Sequence, residues 1–100
     1  MFNIQFEWDY NKDHINRIKH KVAFKEASSV FYDIDALEDY DQEKDGEDRY
    51  LLLGKSNNGR ILVIAFCLRG FLENSIRIIS ARKATAYEVK QYVNRGGKYV

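Results

Sequence analysis

The run Arg49-Tyr50-Leu51-Leu52-Leu53-Gly54-Lys55-Ser56, the polar step Asn57-Asn58-Gly59 and the run Arg60 to Leu68 constrain this chain more than any other stretch. Asn-Gly tolerates the positive φ angles of a tight turn, so the two flanking β-forming runs read as an antiparallel hairpin. The second run, Ile61-Leu62-Val63-Ile64-Ala65-Phe66-Cys67-Leu68, is apolar on both faces of a strand. Such a strand belongs at the centre of a sheet, under helices.

The other elements follow from periodicity. Phe2, Ile4, Phe6 and Trp8 alternate with Asn3, Gln5 and Glu7, the period of a strand with one buried face. Asp9 is placed to cap a helix in which Ile15, Ile18 and Val22 share one face and Arg17 and Lys21 another. Phe24 to Phe31 predicts a second short helix with Phe24, Ala27 and Phe31 inward. Ala36 to Tyr40 reads as a short edge strand, and Asp41 to Asp48, which contains Gly46 and lacks apolar periodicity, as a solvated loop. A turn from Arg69 to Asn74 leads to a strand over Ser75 to Ala81. Thr85 and Glu88 then form a capping-box pattern that opens a last helix, Ala86 to Asn94, stopped at Gly96-Gly97. The expected fold is α+β: an antiparallel sheet of about four to five strands, with two N-terminal helices and a C-terminal helix packed on one face.

A chain of 100 residues with 45% hydrophobic content supports one core, so residues 1–100 are expected to form a single domain. Cys67 is alone and lies in the central apolar run, where it acts as a small hydrophobe. No basic start followed by an apolar stretch opens the chain, and no apolar segment approaches the ~18 residues needed to span a bilayer, which predicts a cytoplasmic protein. The formal net charge of +1 conceals blocks of opposite sign. Eight acids and one base, Lys44, occupy Asp35 to Asp48, whereas Lys12 to Lys25 and Arg77 to Lys98 are basic. If the two basic segments meet in the fold, they form a patch suited to phosphates.

Four stretches taken together resemble a known family: Phe6-Glu7-Trp8-Asp9; Lys12 and Asn16 leading to Lys19-His20; Val22-Ala23-Phe24-Lys25-Glu26-Ala27; and Arg77-Ile78-Ile79-Ser80-Ala81-Arg82-Lys83-Ala84-Thr85. In order and spacing they are similar to the signature of the BrnT toxins, within the RelE-like group. The resemblance implies a RelE-like fold and a ribonuclease activity that halts translation. It also implies a BrnA-like antitoxin that neutralises the toxin and contacts operator DNA. Where the family usually has Gly after the Lys-His pair and Ser or Thr before the Phe, this chain has Lys21 and Ala23.

RNA cleavage without a metal needs a base for the 2′-hydroxyl proton, cations for the pentavalent phosphate and an acid for the departing 5′-oxygen. His20 is a candidate base, with an ordinary pKa near neutrality and the cations Lys19 and Lys21 beside it; its alternative role is a contact with the carbonyls at a helix end. Arg77 stands between Ile76 and Ile78 in an apolar strand and needs an anionic partner, either phosphate or an acid such as Glu26 or Glu47. Arg49, Arg77 and Arg82 are the further catalytic candidates, with Glu47 a weaker one for the base. Lys19, Lys21, Lys83 and Tyr92 are candidates for RNA-phosphate binding. His14 and His20 lack companion cysteines, so neither a metal site nor any cofactor is expected. The competing readings are a nucleic-acid-binding module that breaks no bond and a protein-interaction domain.

Overall fold

The computed structural model describes residues 4–98, in the order β1 (Gln5–Glu7), α1 (Tyr10–His20), α2 (Phe24–Ser29), a 3₁₀ turn (Val30–Tyr32), β2 (Leu37–Lys44), β3 (Glu47–Lys55), β4 (Ile61–Arg69), β5 (Ser75–Lys83) and α3 (Ala86–Lys98). The central hairpin forms where the sequence puts it, β3 against β4 from Arg49 opposite Cys67 to Lys55 opposite Ile61. Its loop is wider than an Asn-Gly two-residue turn. Ser56 closes it by donating its N–H to the Arg60 carbonyl at 2.8 Å, and Gly59 supplies the left-handed residue at φ +78°.

The five strands lie in the order β1-β5-β4-β3-β2. The apolar β4 sits in the centre, as its two-faced hydrophobicity requires. The sheet is mixed rather than wholly antiparallel, because β1 runs parallel to β5 with Phe6 aligned to Ile76. Alternation along a strand fixes which side chains face inward and carries no information about direction. Phe2, assigned to the same strand from the sequence, lies outside the described residues.

The acidic segment is not a loop. β2 runs to Lys44 and β3 starts at Glu47, joined by Asp45-Gly46 with φ of +54° and +79°. Positive φ at both central residues is the two-residue turn that matches strand twist, and Asp-Gly is one of its preferred pairs. Repulsion among the acids is relieved by solvent, since every β2 residue after Leu37 is exposed.

α1 is capped by the Asp9 carboxylate, which accepts the N–H groups of Asn11 and Lys12. Its inner face differs from the expected one: Ile15 and Ile18 are exposed and Asn16 is buried. The helix ends at His20, before Val22, and lies along β5, where the Asn16 amide pairs with the backbone of Ala81, accepting its N–H at 3.1 Å and donating to its carbonyl at 2.8 Å. A side-chain amide thus completes hydrogen bonds of β5 beyond the point where β1 stops pairing with it.

The core lies between the sheet and the first two helices: Phe24, Ala27 and Val30 pack on Leu52, Leu62, Ile64, Phe66 and Ile78. Full burial of each large side chain contributes about 1.5–3 kcal/mol. Phe31 joins them edge-on to Phe66, as expected of an inward residue. The helices do not share one face. Gly54 on β3 faces the α2 side, where an added Cβ would lie 2.8 Å from Val30, whereas the alternate residues Leu51 and Leu53 line a groove with Val63 and with Glu88 and Gln91 of α3. α3 is therefore on the second face, near β3. It also continues past Gly96-Gly97 to Lys98, since glycine costs a helix only about 1 kcal/mol relative to alanine.

Candidate active site on the open sheet face

The face opposite α1 and α2 carries the arginines. Strand register places Glu7, Arg77, Cys67 and Arg49 side by side across β1, β5, β4 and β3. Adjacent strands are about 4.8 Å apart, so the Cα atoms of Arg77 and Arg49 are separated by about 10 Å with Cys67 between them. Their flexible side chains can both reach a group held above the sulfur. The Cys67 thiol itself is fully buried, and burial pushes its pKa up, which keeps it protonated and unreactive.

Arg77 has the anionic partner that its apolar strand demands, but neither of the acids anticipated. Its Nη1 donates to Glu7 Oε2 at 2.9 Å, an ion pair 70 residues apart in sequence. Glu26 instead binds Arg60, and Glu47 binds Arg69 beside the row. The Arg69 guanidinium, followed by smaller contributions that include the charge of Arg49, holds the Glu47 carboxyl below the usual range. The Arg49 Nε is buried without a hydrogen-bond partner, as is that of Arg69, whose guanidinium is paired with Glu47. Leaving such a donor unsatisfied costs about 1–3 kcal/mol.

Arg82 lies farther along β5 on the same face, aligned with Val63, about 13 Å along β4 from Cys67 by strand rise. It donates to both oxygens of Glu88, at 2.8 and 3.0 Å. The same carboxylate accepts the Thr85 N–H while the Thr85 hydroxyl accepts the Glu88 N–H, which is the capping box expected at the start of α3. The Arg82 guanidinium above all, and the Thr85 N–H with it, take the Glu88 carboxyl down to about 2.

The remaining sequence candidates lie apart from the row. His20 shares a shallow recess with Lys12, Lys19, Ile79 and Ser80 at the edge of β5. Lys19 and Lys21 are exposed at that end of α1. Lys21 takes the left-handed conformation at φ +60°, the role a glycine would fill. Lys83 ends β5 opposite Leu62, on the alternate face from Arg82. The Tyr92 hydroxyl donates to Asp33 at 2.6 Å, and burial with that bond pushes its pKa up to about 12.

The structure thus brings together Arg49 and Arg77, with Arg82 on the same face, and sets the lysine and histidine group along the β5 edge. Sequence reasoning missed Glu7. The signal was present, because Glu7 is on the polar side of the first strand's alternation, but only the strand register reveals that Arg77 is its neighbour. Among the described residues no group of three or more His, Cys, Asp or Glu side chains is arranged to hold a metal ion.

Residues 8–88 match the model of a family described as the ribonuclease toxin BrnT of type II toxin–antitoxin systems. The chain belongs to that family. The crystal structure of the Brucella abortus ribonuclease toxin BrnT is similar in fold, with a TM-score of 0.60 at 22% identity over 83% of this chain and 99% of that one. No curated protein sequence matches the chain.

Proposed function

We propose that this chain is the toxin of a type II toxin–antitoxin pair, a RelE-like single-domain endoribonuclease that cleaves RNA through the 2′-hydroxyl without a metal and so stops translation in the cytoplasm. The family membership supports the ribonuclease class. The observation that carries the mechanism is the cross-strand row in which Arg49, with an unsatisfied buried Nε, faces Arg77 across Cys67. A phosphodiester bridging two guanidiniums gains charge-assisted hydrogen bonds that strengthen as the pentavalent phosphate gathers charge. Arg82 extends the positive potential along β5 on this face, Lys83 adds to it from the other face at the end of the strand, and Lys19, Lys21 and His20 extend it along the strand edge, a track for the flanking RNA backbone. Tyr92 is engaged by Asp33 and does not contact the phosphate. A BrnA-like antitoxin neutralises the toxin by covering the arginine face, and operator DNA is contacted through the antitoxin.

Expression of the chain alone and with the neighbouring reading frame tests this reading. Growth arrest with loss of RNA integrity is expected from the chain alone, relieved by the neighbour and by Arg77→Ala. Normal growth with intact RNA under confirmed expression of the folded chain would overturn it.

A further inference from the structure

The arginine row ends at an acid, and beyond the acid lies an aromatic hollow. Glu7 is held at both oxygens, Oε2 by Arg77 at 2.9 Å and Oε1 by the Ser75 hydroxyl at 3.2 Å, yet its side chain remains 41% exposed. Each carboxylate oxygen has two acceptor sites, so both keep a free lone pair. Phe6, Glu7, Trp8 and Tyr10 together line a hollow of about 210 Å³. Trp8 is fixed from behind by an edge-on contact with Phe24, while Tyr10 is 83% exposed at the start of α1 and buries nothing in the fold.

We propose that Glu7 is the general base of the cleavage and that the hollow beside it seats the nucleobase whose ribose carries the attacking hydroxyl. This rests on the ribonuclease reading above. A phosphate bridging Arg77 and Arg49 leaves the preceding nucleotide on the β1 side, where its base stacks on Tyr10 and Trp8 and its 2′-hydroxyl meets Glu7. Stacking on aromatic rings tolerates any base and contributes binding without sequence readout. Glu7 then takes the 2′ proton, the 2′-oxygen attacks phosphorus, and the bond from phosphorus to the 5′-oxygen breaks. The products are a 2′,3′-cyclic phosphate and a 5′-hydroxyl. The leaving oxygen takes its proton from water, and Glu7 returns its own to water. Arg77 has two tasks in this arrangement, orienting the carboxylate and holding the phosphate. His20, on α1 at the far part of β5, is left for the RNA path.

The experiment compares cleavage of a short RNA with binding of the same oligonucleotide carrying 2′-deoxyribose, which cannot react. Glu7→Gln is expected to lose about 100-fold or more in kcat while binding the deoxy oligonucleotide as tightly as before or tighter, since a negative charge beside the phosphate is removed. Tyr10→Ala is expected to raise KM with kcat little changed. A wild-type kcat in Glu7→Gln would overturn this inference alone, as would a loss of rate matched by an equal loss of deoxy oligonucleotide binding. Absence of cleavage by the folded wild-type chain would overturn the ribonuclease reading as well.

Discussion

The Arg82 guanidinium spans both carboxylate oxygens of Glu88, and this ties the end of β5 to the first turn of α3. Because the folded protein holds the Glu88 carboxyl down at about 2, against 4.5 ordinarily, the pair stabilises the fold above pH 4.5 and loses that contribution as pH falls toward 2. Arg82 is 40% exposed, so solvent screening limits the effect to about 1 kcal/mol. Glu88→Gln keeps a capping-box residue and removes the charge. Urea unfolding should show this variant less stable by about that amount at pH 7, with the gap narrowing between pH 4.5 and pH 2. An equal gap at pH 7 and pH 3 would refute the ion-pair account.

The corner between α1 and α2 is less stable than it could be. Lys21 occupies a left-handed position, and Ala23 stands at the α2 N-cap with no side-chain bond. Asp13 compensates in part by accepting the Phe24 N–H at 2.9 Å. Lys21→Gly should stabilise by about 1 kcal/mol, since the Lys21 carbonyl that accepts from Arg60 is retained. Ala23→Ser should add about 0.5–1 kcal/mol. Denaturant midpoints check both, and a fall in stability for Lys21→Gly would contradict the strain assigned to it.

Asn16 is the residue that fastens α1 to the edge of β5, and its amide also donates to the Val22 carbonyl at 2.8 Å. Asn16→Leu strands buried backbone groups of Ala81 and Val22 and should cost about 2–4 kcal/mol. Hydrogen exchange at the Ala81 amide should accelerate beyond the global loss. Protection unchanged at Ala81 would mean that the edge is covered by something else.

Much of the fold was legible because its signals are local. Asp9, the Thr85–Glu88 box and the apolar β4 each act on residues within a few positions of themselves. The acidic hairpin was legible in principle too, at Asp45-Gly46, but eight acids outweigh one turn signal when a segment is judged on apolar periodicity. The parallel pairing of β1 and the contact of Glu7 with Arg77 were not legible, because they depend on which strands meet across the chain. The same holds for the site. Arg49, Arg77 and Arg82 stand out as cations in or beside apolar strands, whereas their shared face follows from register alone.

Acids on β2 should steer the antitoxin rather than hold it. Their charge disfavours RNA and offers a rim charge to a partner that, on the proposed function, carries positive charge for DNA. Replacing Asp39, Asp41, Glu43 and Asp45 with Asn or Gln should slow association and flatten its salt dependence, while dissociation changes little. Stopped-flow mixing at two ionic strengths reads this directly. An unchanged association rate would remove β2 from the encounter.

If the paired arginines of the open sheet face promote RNA cleavage through the 2′-hydroxyl, as proposed, the products and the variants report it together. The most direct measurement is the end chemistry and rate of cleavage of a labelled RNA by the purified chain in excess EDTA, for wild type and for Arg49→Ala and Arg77→Ala. The account predicts 2′,3′-cyclic phosphate or 3′-phosphate ends from the wild type, with each variant slowed about 10²- to 10³-fold while remaining folded. Cleavage that stops in EDTA, or that continues at the wild-type rate in both variants, would contradict it.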